Sequence, residues 1–258
     1  MTTDPGMRNA IVTGGTSGIG LAVAQQLLKA GFNVGVFSQS APHVAKADDM
    51  LTSEFGSERI LARQVDLRDA AGVPAFFTSV EERWGAIDTL VCNAGYSPKR
   101  QSGRVPFAEI EASEWQQVLA INLTGTMRCC QLALPGMKAN GFGRIVMIGS
   151  VAGRTLPRIA GASYTASKAG VSGLARALVA DTWGDGITIN TVAPGRILTE
   201  MTGPQDSPAN KSALERIPVG RLGQPEDVAR TVAFLVSEDA GFINGSVIDV
   251  NGGEFVPL

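Results

Sequence analysis

Cysteine and histidine are scarce in this chain, and their scarcity closes off several kinds of chemistry. Among 258 residues there are three cysteines, Cys92, Cys129 and Cys130, and one histidine, His43. The cysteines form neither an even framework nor a Cys-x-x-Cys pair. Two adjacent thiols on an expected helix suit packing better than bridging, so all three read as reduced. A lone histidine cannot anchor a Ser-His-Asp triad, and no metal-binding cluster is visible. His43, which follows an expected strand, reads as a polar loop or helix-start residue. Positive charge is not in excess either: 22 Lys and Arg stand against 24 Asp and Glu, a net charge of −2. That excludes a phosphate backbone as the natural partner, and no basic run marks a membrane surface. No apolar run reaches spanning length. The opening Met1-Thr2-Thr3-Asp4-Pro5-Gly6 lacks a charged and then apolar leader, so the expected location is the cytoplasm.

What is present is an ordinary globular balance, with 44% hydrophobic residues, 18% charged residues and a mean hydropathy of +0.11. The length suits one domain over residues 1–258. Apolar runs alternate with helix-period stretches throughout, which predicts repeated βα units and a parallel sheet covered on both faces. Strands are expected near 8–13, 33–37, 59–65, 87–92, 143–149, 186–192 and 246–250. Helices are expected over 18–30, 41–55, 70–83, 113–139, 161–182 and 225–236, with Asp69 and Ser113 as N-caps and Pro135-Gly136 ending or kinking the fourth. Residues 195–222, rich in glycine and proline, break the alternation and read as a lid or a surface excursion. There is no internal repeat and no low-complexity tract.

Two patterns carry chemistry. Tyr164 and Lys168 share a helix face at spacing i, i+4, with Ser150 upstream at the end of an apolar run. A free tyrosine ionises near pH 10, and a neighbouring cation favours its phenolate, which makes Tyr164 a candidate general acid/base. At the other end of the chain, Gly14, Gly18 and Gly20 stand between the first strand and the first helix. They allow a tight turn whose backbone approaches a pyrophosphate at a helix N-terminus. The second strand ends in Val36-Phe37-Ser38-Gln39-Ser40, with no carboxylate to repel a 2′-phosphate. Hydroxyls of Ser17, Ser38 and Ser40 are on hand, but no Arg or Lys is, so NADP(H) is favoured over NAD(H) and NAD(H) stays possible.

These residues resemble the short-chain dehydrogenase/reductase family, in particular its 3-oxoacyl-acyl-carrier-protein reductase-like members. The likeness runs from Thr13 to Gly253. Thr13-Gly14-Gly15-Thr16-Ser17-Gly18-Ile19-Gly20 is similar to the family's cofactor turn, and Cys92-Asn93-Ala94-Gly95 to its Asn-Asn-Ala-Gly motif with Cys in first place. Asn122, Ser150, Tyr164 and Lys168 match its catalytic tetrad, and Pro194-Gly195 its turn after the sixth strand. Gly220-Arg221-Leu222-Gly223-Gln224-Pro225-Glu226-Asp227 and Val250-Asn251-Gly252-Gly253 match the reductase-like members most closely.

The resemblance implies a Rossmann-type, doubly wound, seven-stranded parallel sheet, hydride exchange between a nicotinamide and a small carbonyl or alcohol, and a homotetramer. It further implies that Asp66 holds the adenine with Leu67 beside it, that Asn93, Ala94 and Gly95 line the cofactor, and that Ile197 and Thr199 meet its carboxamide and phosphates. Ser38 and Gln39 fall at the adenosine end. By the same likeness, Ser150 and Tyr164 serve the substrate oxygen, and Lys168 lowers the tyrosine pKa and grips the ribose. Asn122 opens its helix and holds a water. Asp66 also reads as a cap after the third strand, and Thr199 as a cap within the lid.

For the substrate, carrier-protein reductases have two arginines on their docking face. Arg128 matches one, while Ala180 stands at the other beside Asp181 and Asp185. A 3-oxoacyl-carrier-protein substrate is therefore the alternative to a free small molecule. Arg154 and Arg158 read first as solvated or as serving a subunit contact, with one of them a candidate to face a substrate anion, and Tyr96 and Met201 as shaping the pocket. A non-catalytic dinucleotide-binding regulator would be marked by loss of Ser150, Tyr164 or Lys168, and all three are intact.

Overall fold

The computed structural model describes residues 7–98 and 104–257; the leading hexapeptide discussed above lies outside them. Seven strands form one sheet: β1 (Asn9–Thr13), β2 (Asn33–Ser38), β3 (Ile60–Gln64), β4 (Thr89–Cys92), β5 (Gly143–Ile148), β6 (Ile187–Pro194) and β7 (Val247–Val250). Their order is β3-β2-β1-β4-β5-β6-β7 and every pairing is parallel. The seven-stranded, doubly wound expectation is met strand by strand.

Strands buried on both faces need apolar side chains at successive positions, and β1 and β4 are buried throughout. Alternation then divides the core. Ala10 and Val12 of β1 join Val36, Val91 and Val146 beneath α1 (Gly18–Lys29) and α8 (Pro225–Leu235). Ile11 joins Phe37, Leu90, Ile145 and Met147 beneath α3 (Gly72–Trp84), α5 (Gly125–Asn140) and α6 (Ala162–Asp181). Phe37 and Phe76 meet edge to face with ring centroids 4.9 Å apart, a geometry that contributes about 1 kcal/mol beyond burial. Because strand order reverses between β1 and β4, the crevice above their C-terminal ends is where a ligand enters such a sheet.

Several local expectations are corrected. The helix expected over 113–139 is three pieces: α4 (Ala112–Leu119), a π-helical turn at Ala120–Thr124, and α5. Ser113 lies inside α4, whose flanking residue is Glu111, because Trp115 N–H already bonds the Glu111 carbonyl. Asp69 caps the turn before α3, accepting from Ala71 N–H at 2.9 Å, whereas α3 itself starts at Gly72. Pro135 does not end α5, which runs on to Asn140 and stops at Gly141 in the left-handed region (φ 63°). Proline removes only one donor from the ladder, and the buried neighbours Ala133 and Met137 hold both sides of it against the sheet. His43 sits in the first turn of α2 (Ala41–Phe55), donating its backbone N–H to Ser40 Oγ, as expected of a helix-start residue.

Candidate active site

The turn after β1 is built to bring backbone close to a ligand. Gly14 has φ 62°, donates its N–H to the Phe37 carbonyl at 2.8 Å, and a Cβ there would stand 2.9 Å from Ala94 Cα. Gly18 (φ 51°) opens α1. Ser17 before it makes no side-chain cap bond and the first turn carries no acid, so the helix presents unpaired N–H groups and its positive end to an anion. Gly20 has a different task. A Cβ there would lie 2.2 Å from the Gly14 carbonyl oxygen, so its bareness lets α1 pack on the turn.

A second set of bonds fastens this turn to the end of β4. Asn93 Nδ2 donates to the Thr13 and Gly14 carbonyls, both at 3.1 Å. Thr13 Oγ1 accepts from Asn93 N–H (3.1 Å) and Ala94 N–H (3.0 Å). Thr13 was not among the expected site residues. Its position directly before the glycine turn is the only sequence signal it offers.

A cavity of about 450 Å³ opens above these ends. It is lined by Gly14, Ser17, Gly18, Ile19, Ser38, Gln39, Asp66, Leu67, Asn93, Ala94, Gly95, Ser150, Tyr164, Lys168, Pro194, Gly195, Ile197 and Thr199, all expected. Tyr96 and Met201 line it too, as expected of pocket-shaping residues. Thr16, Gly20 and Asn122 lie behind the wall. Thr16 donates its hydroxyl to Ser38 Oγ at 2.8 Å and so orients a residue that does line the cavity. Asn122 is fully buried in the π turn. Its Oδ1 accepts Tyr96 N–H at 2.7 Å, and its Nδ2 donates to the Tyr96 carbonyl (3.0 Å) and to Ser167 Oγ (2.9 Å). The helix opens at Asn122 as expected. Its side chain, however, is engaged by Tyr96 and Ser167, and its carbonyl accepts the Thr126 hydroxyl at 2.9 Å.

At the catalytic end, Ser150 follows β5 and its Oγ accepts Ala152 N–H at 3.1 Å, which leaves its own proton to donate. The turn-forming and the donor reading of Ser150 therefore coexist. Lys168 is buried, donates to the Ile148 carbonyl at 2.7 Å, and lies 5.8 Å from the Tyr164 ring centroid. Burial lowers its pKa to about 8, with the nearby Cys92 pulling the other way. Gly95 lies beside it, where an added Cβ would stand 3.4 Å from Lys168 Nζ, an ordinary van der Waals contact. Burial holds Tyr164 above its ordinary value and Ser150 is what opposes it, while the ammonium is directed at the Ile148 carbonyl.

Asp66 is held by Arg68 at 2.6 Å, which keeps its carboxyl below the usual range, and it accepts Arg68 N–H at 2.8 Å, so the capping role weighed for it is present. His43 and Glu200, neither of them expected in the site, line the adenosine side of the cavity with Nε2 and Oε2 3.3 Å apart. Arg154 does not face the cavity. It pairs with Asp249, and Phe255 lies 5.4 Å from its guanidinium. Arg158 is exposed.

Comparison with known proteins matches residues 14–254 to the family described as enoyl-(acyl carrier protein) reductase. The 3-oxoacyl-[acyl-carrier-protein] reductase MabA of Mycobacterium tuberculosis is 40% identical over 95% of this chain and 92% of its own. The chain belongs to the short-chain dehydrogenase/reductase family. Like other members of this family, it is an NAD(P)-dependent oxidoreductase that interconverts a carbonyl and a secondary alcohol. The acetoacetyl-CoA reductase of Rhizobium meliloti is 37% identical over 96% of this chain and 98% of its own. The crystal structure of 3-oxoacyl-[acyl-carrier protein] reductase from Brucella melitensis superposes with a TM-score of 0.86 at 32% identity, covering 97% of this chain and 92% of that one.

The residues fit the dinucleotide of this dehydrogenase/reductase. The glycine turn would strike its neighbours if Gly14 or Gly20 carried a Cβ, the helix start behind it has donors to spare, and the cavity continues from there to Tyr164.

Proposed function

We propose that this enzyme reduces a 3-oxoacyl group, presented as a thioester on a small carrier, with NADP(H) as the coenzyme. The observation that carries the reading is the convergence of Ser150, Tyr164 and Lys168 on one wall of a cavity whose far wall is the anion-holding glycine turn. Bound there, the nicotinamide supplies the hydride chemistry. Tyr164 gives its phenolic proton to the substrate oxygen during reduction and takes it back during oxidation. Ser150 donates its free hydroxyl proton to the same oxygen and stabilises charge building on it. Lys168, protonated at neutral pH, holds the ribose hydroxyls. Asn122 is a positioning residue that sets Tyr96 and, through Ser167, the start of α6.

For the coenzyme, the end of β2 supports NADP(H). Ser38, Gln39 and Ser40 bring no carboxylate, and Thr16 orients Ser38. Gly14, Ser17, Gly18, Ile19, Asp66, Leu67, Asn93, Ala94, Gly95, Pro194, Gly195, Ile197 and Thr199 complete the proposed binding surface. Residues 195–222 form the substrate-side cover within a single domain. Asn210, fully buried, holds this cover together internally by bonds to Arg196 and to the Pro204 carbonyl (2.6 and 2.7 Å).

The thioester class is supported by relatives named for carrier-protein and for CoA substrates. A carrier protein as the natural presenter is the second reading, and exposed Arg128 favours it. Exposed Ala180 and Asp181 in the second docking position weigh for the smaller carrier. We place the enzyme in the cytoplasm as a homotetramer. No described helix is long and apolar enough to cross a membrane, and exposed Phe234 and Phe242 offer apolar surface for assembly. Following NADPH absorbance with acetoacetyl-CoA, the same acyl group on acyl carrier protein, and simple ketones tests the reading. Turnover of simple ketones alone would overturn it.

A further inference from the structure

At the opposite end of the sheet from the active site, a second cavity of about 300 Å³ opens where β5 and β6 begin. Its floor is Arg144, 5% exposed, which stacks 4.2 Å from the Phe142 ring and donates to the carbonyls of Gly143 (2.9 Å), Gly186 (3.2 Å) and Ser237 (3.4 Å). Among the described residues it makes no ion pair. Asp88 and Glu238 act on it only through space and Arg8 opposes them, while burial pushes its pKa down. A buried guanidinium without a carboxylate partner is costly, and such charges are ordinarily paired. Among the described residues its Nη2 has no hydrogen-bond partner, and a Cβ added at Gly241 would stand 3.6 Å from it.

A second orphan borders the same space. Thr188 is the register partner of Arg144 on β6, so both side chains leave the same face of the sheet. Its Oγ1 is buried with no hydrogen-bond partner, and it lines the cavity. Val179 and Ile187 supply apolar wall, and the Trp183 indole, 89% exposed, stands at the rim. One buried hydroxyl without a partner and one cationic nitrogen not bonded to a described residue, beside a short apolar wall, describe a receptor for a single negative charge with a small hydrocarbon tail.

We propose that this cavity is a second ligand site, distinct from the active site, that binds a small aliphatic monocarboxylate through Arg144 Nη2 and the Thr188 hydroxyl. Calorimetric titration of the intact protein with sodium butyrate at pH 7, with and without saturating NADPH, tests it, with Trp183 fluorescence as a local reporter. Saturable binding that NADPH leaves unchanged and that shifts Trp183 emission is expected. Thr188→Val, which is isosteric, should weaken it about tenfold, the loss of one hydrogen bond to a charged group. Arg144→Met should abolish it. Both variants should retain NADPH oxidation with a carbonyl substrate. If Arg144→Met fails to fold, Thr188→Val and the fluorescence change decide the matter. No saturable binding, binding equal in wild type and Thr188→Val, or binding displaced by NADPH would overturn the proposal.

Discussion

Asn122 clasps Tyr96 through both polar groups of one residue's backbone: Tyr96 N–H donates to Oδ1 at 2.7 Å, and Nδ2 donates to the Tyr96 carbonyl at 3.0 Å. This ties the π turn to the loop after β4, where the cavity wall passes from coenzyme to substrate side. Asn122→Ala should cost about 2–3 kcal/mol, since it strands a buried N–H and carbonyl. Denaturant midpoints measure that loss. A drop in kcat larger than the change in the KM for NADPH would mark a displaced substrate wall.

Lys168 lowers stability at the pH where the enzyme works. Its folded-state pKa of about 8 lies below its ordinary 10.5, so the folded chain binds this proton less tightly than the unfolded one. The penalty is fully present below pH 8, about 3 kcal/mol by linkage, and fades as pH rises from about 8 to 10.5. Lys168→Met removes it at the loss of one bond to Ile148, about 1 kcal/mol. At pH 7 the inactive variant should be at least as stable as wild type, and wild type should gain on it by pH 10. Urea unfolding at both pH values measures the crossing.

Ser38 sits where a 2′-phosphate would approach the end of β2. Ser38→Asp should raise the KM for NADPH about a hundredfold by like-charge repulsion while changing NADH far less. Steady-state kinetics with both coenzymes checks this. An equal effect on the two would mean that the phosphate lies elsewhere.

Features that depend on local pattern were legible in the sequence. The central strands carry short apolar runs because they are buried on both faces, and Tyr164 and Lys168 declare themselves by a helical spacing that survives in α6. What sequence could not disclose depends on partners brought together only by the fold. Arg154 finds Asp249 across 95 positions, a partner that its nearness to Ser150 in sequence gives no sign of. His43 meets Glu200 only because the start of α2 and the loop after β6 come together over the cavity. Pro135 does not end α5 for the converse reason, a local rule overridden by packing on both sides of the residue.

Arg154 and Asp249 have side chains only 22% and 13% exposed, so breaking the pair leaves a largely buried carboxylate. Arg154→Met should cost about 3 kcal/mol, and adding Asp249→Leu should restore most of it. Thermal unfolding of the three proteins measures the recovery. Substrate KM should not move in the double variant.

Everything in the catalytic reading depends on a proton leaving the phenol of Tyr164. The direct measurement is NADPH oxidation by Tyr164→Phe with acetoacetyl-CoA, alongside NADPH binding by fluorescence titration. Turnover should fall by about a thousandfold or more, the worth of a positioned general acid, with NADPH affinity within about threefold of wild type because the hydroxyl contributes at most one hydrogen bond to it. Turnover near the wild-type rate in that variant would contradict the account.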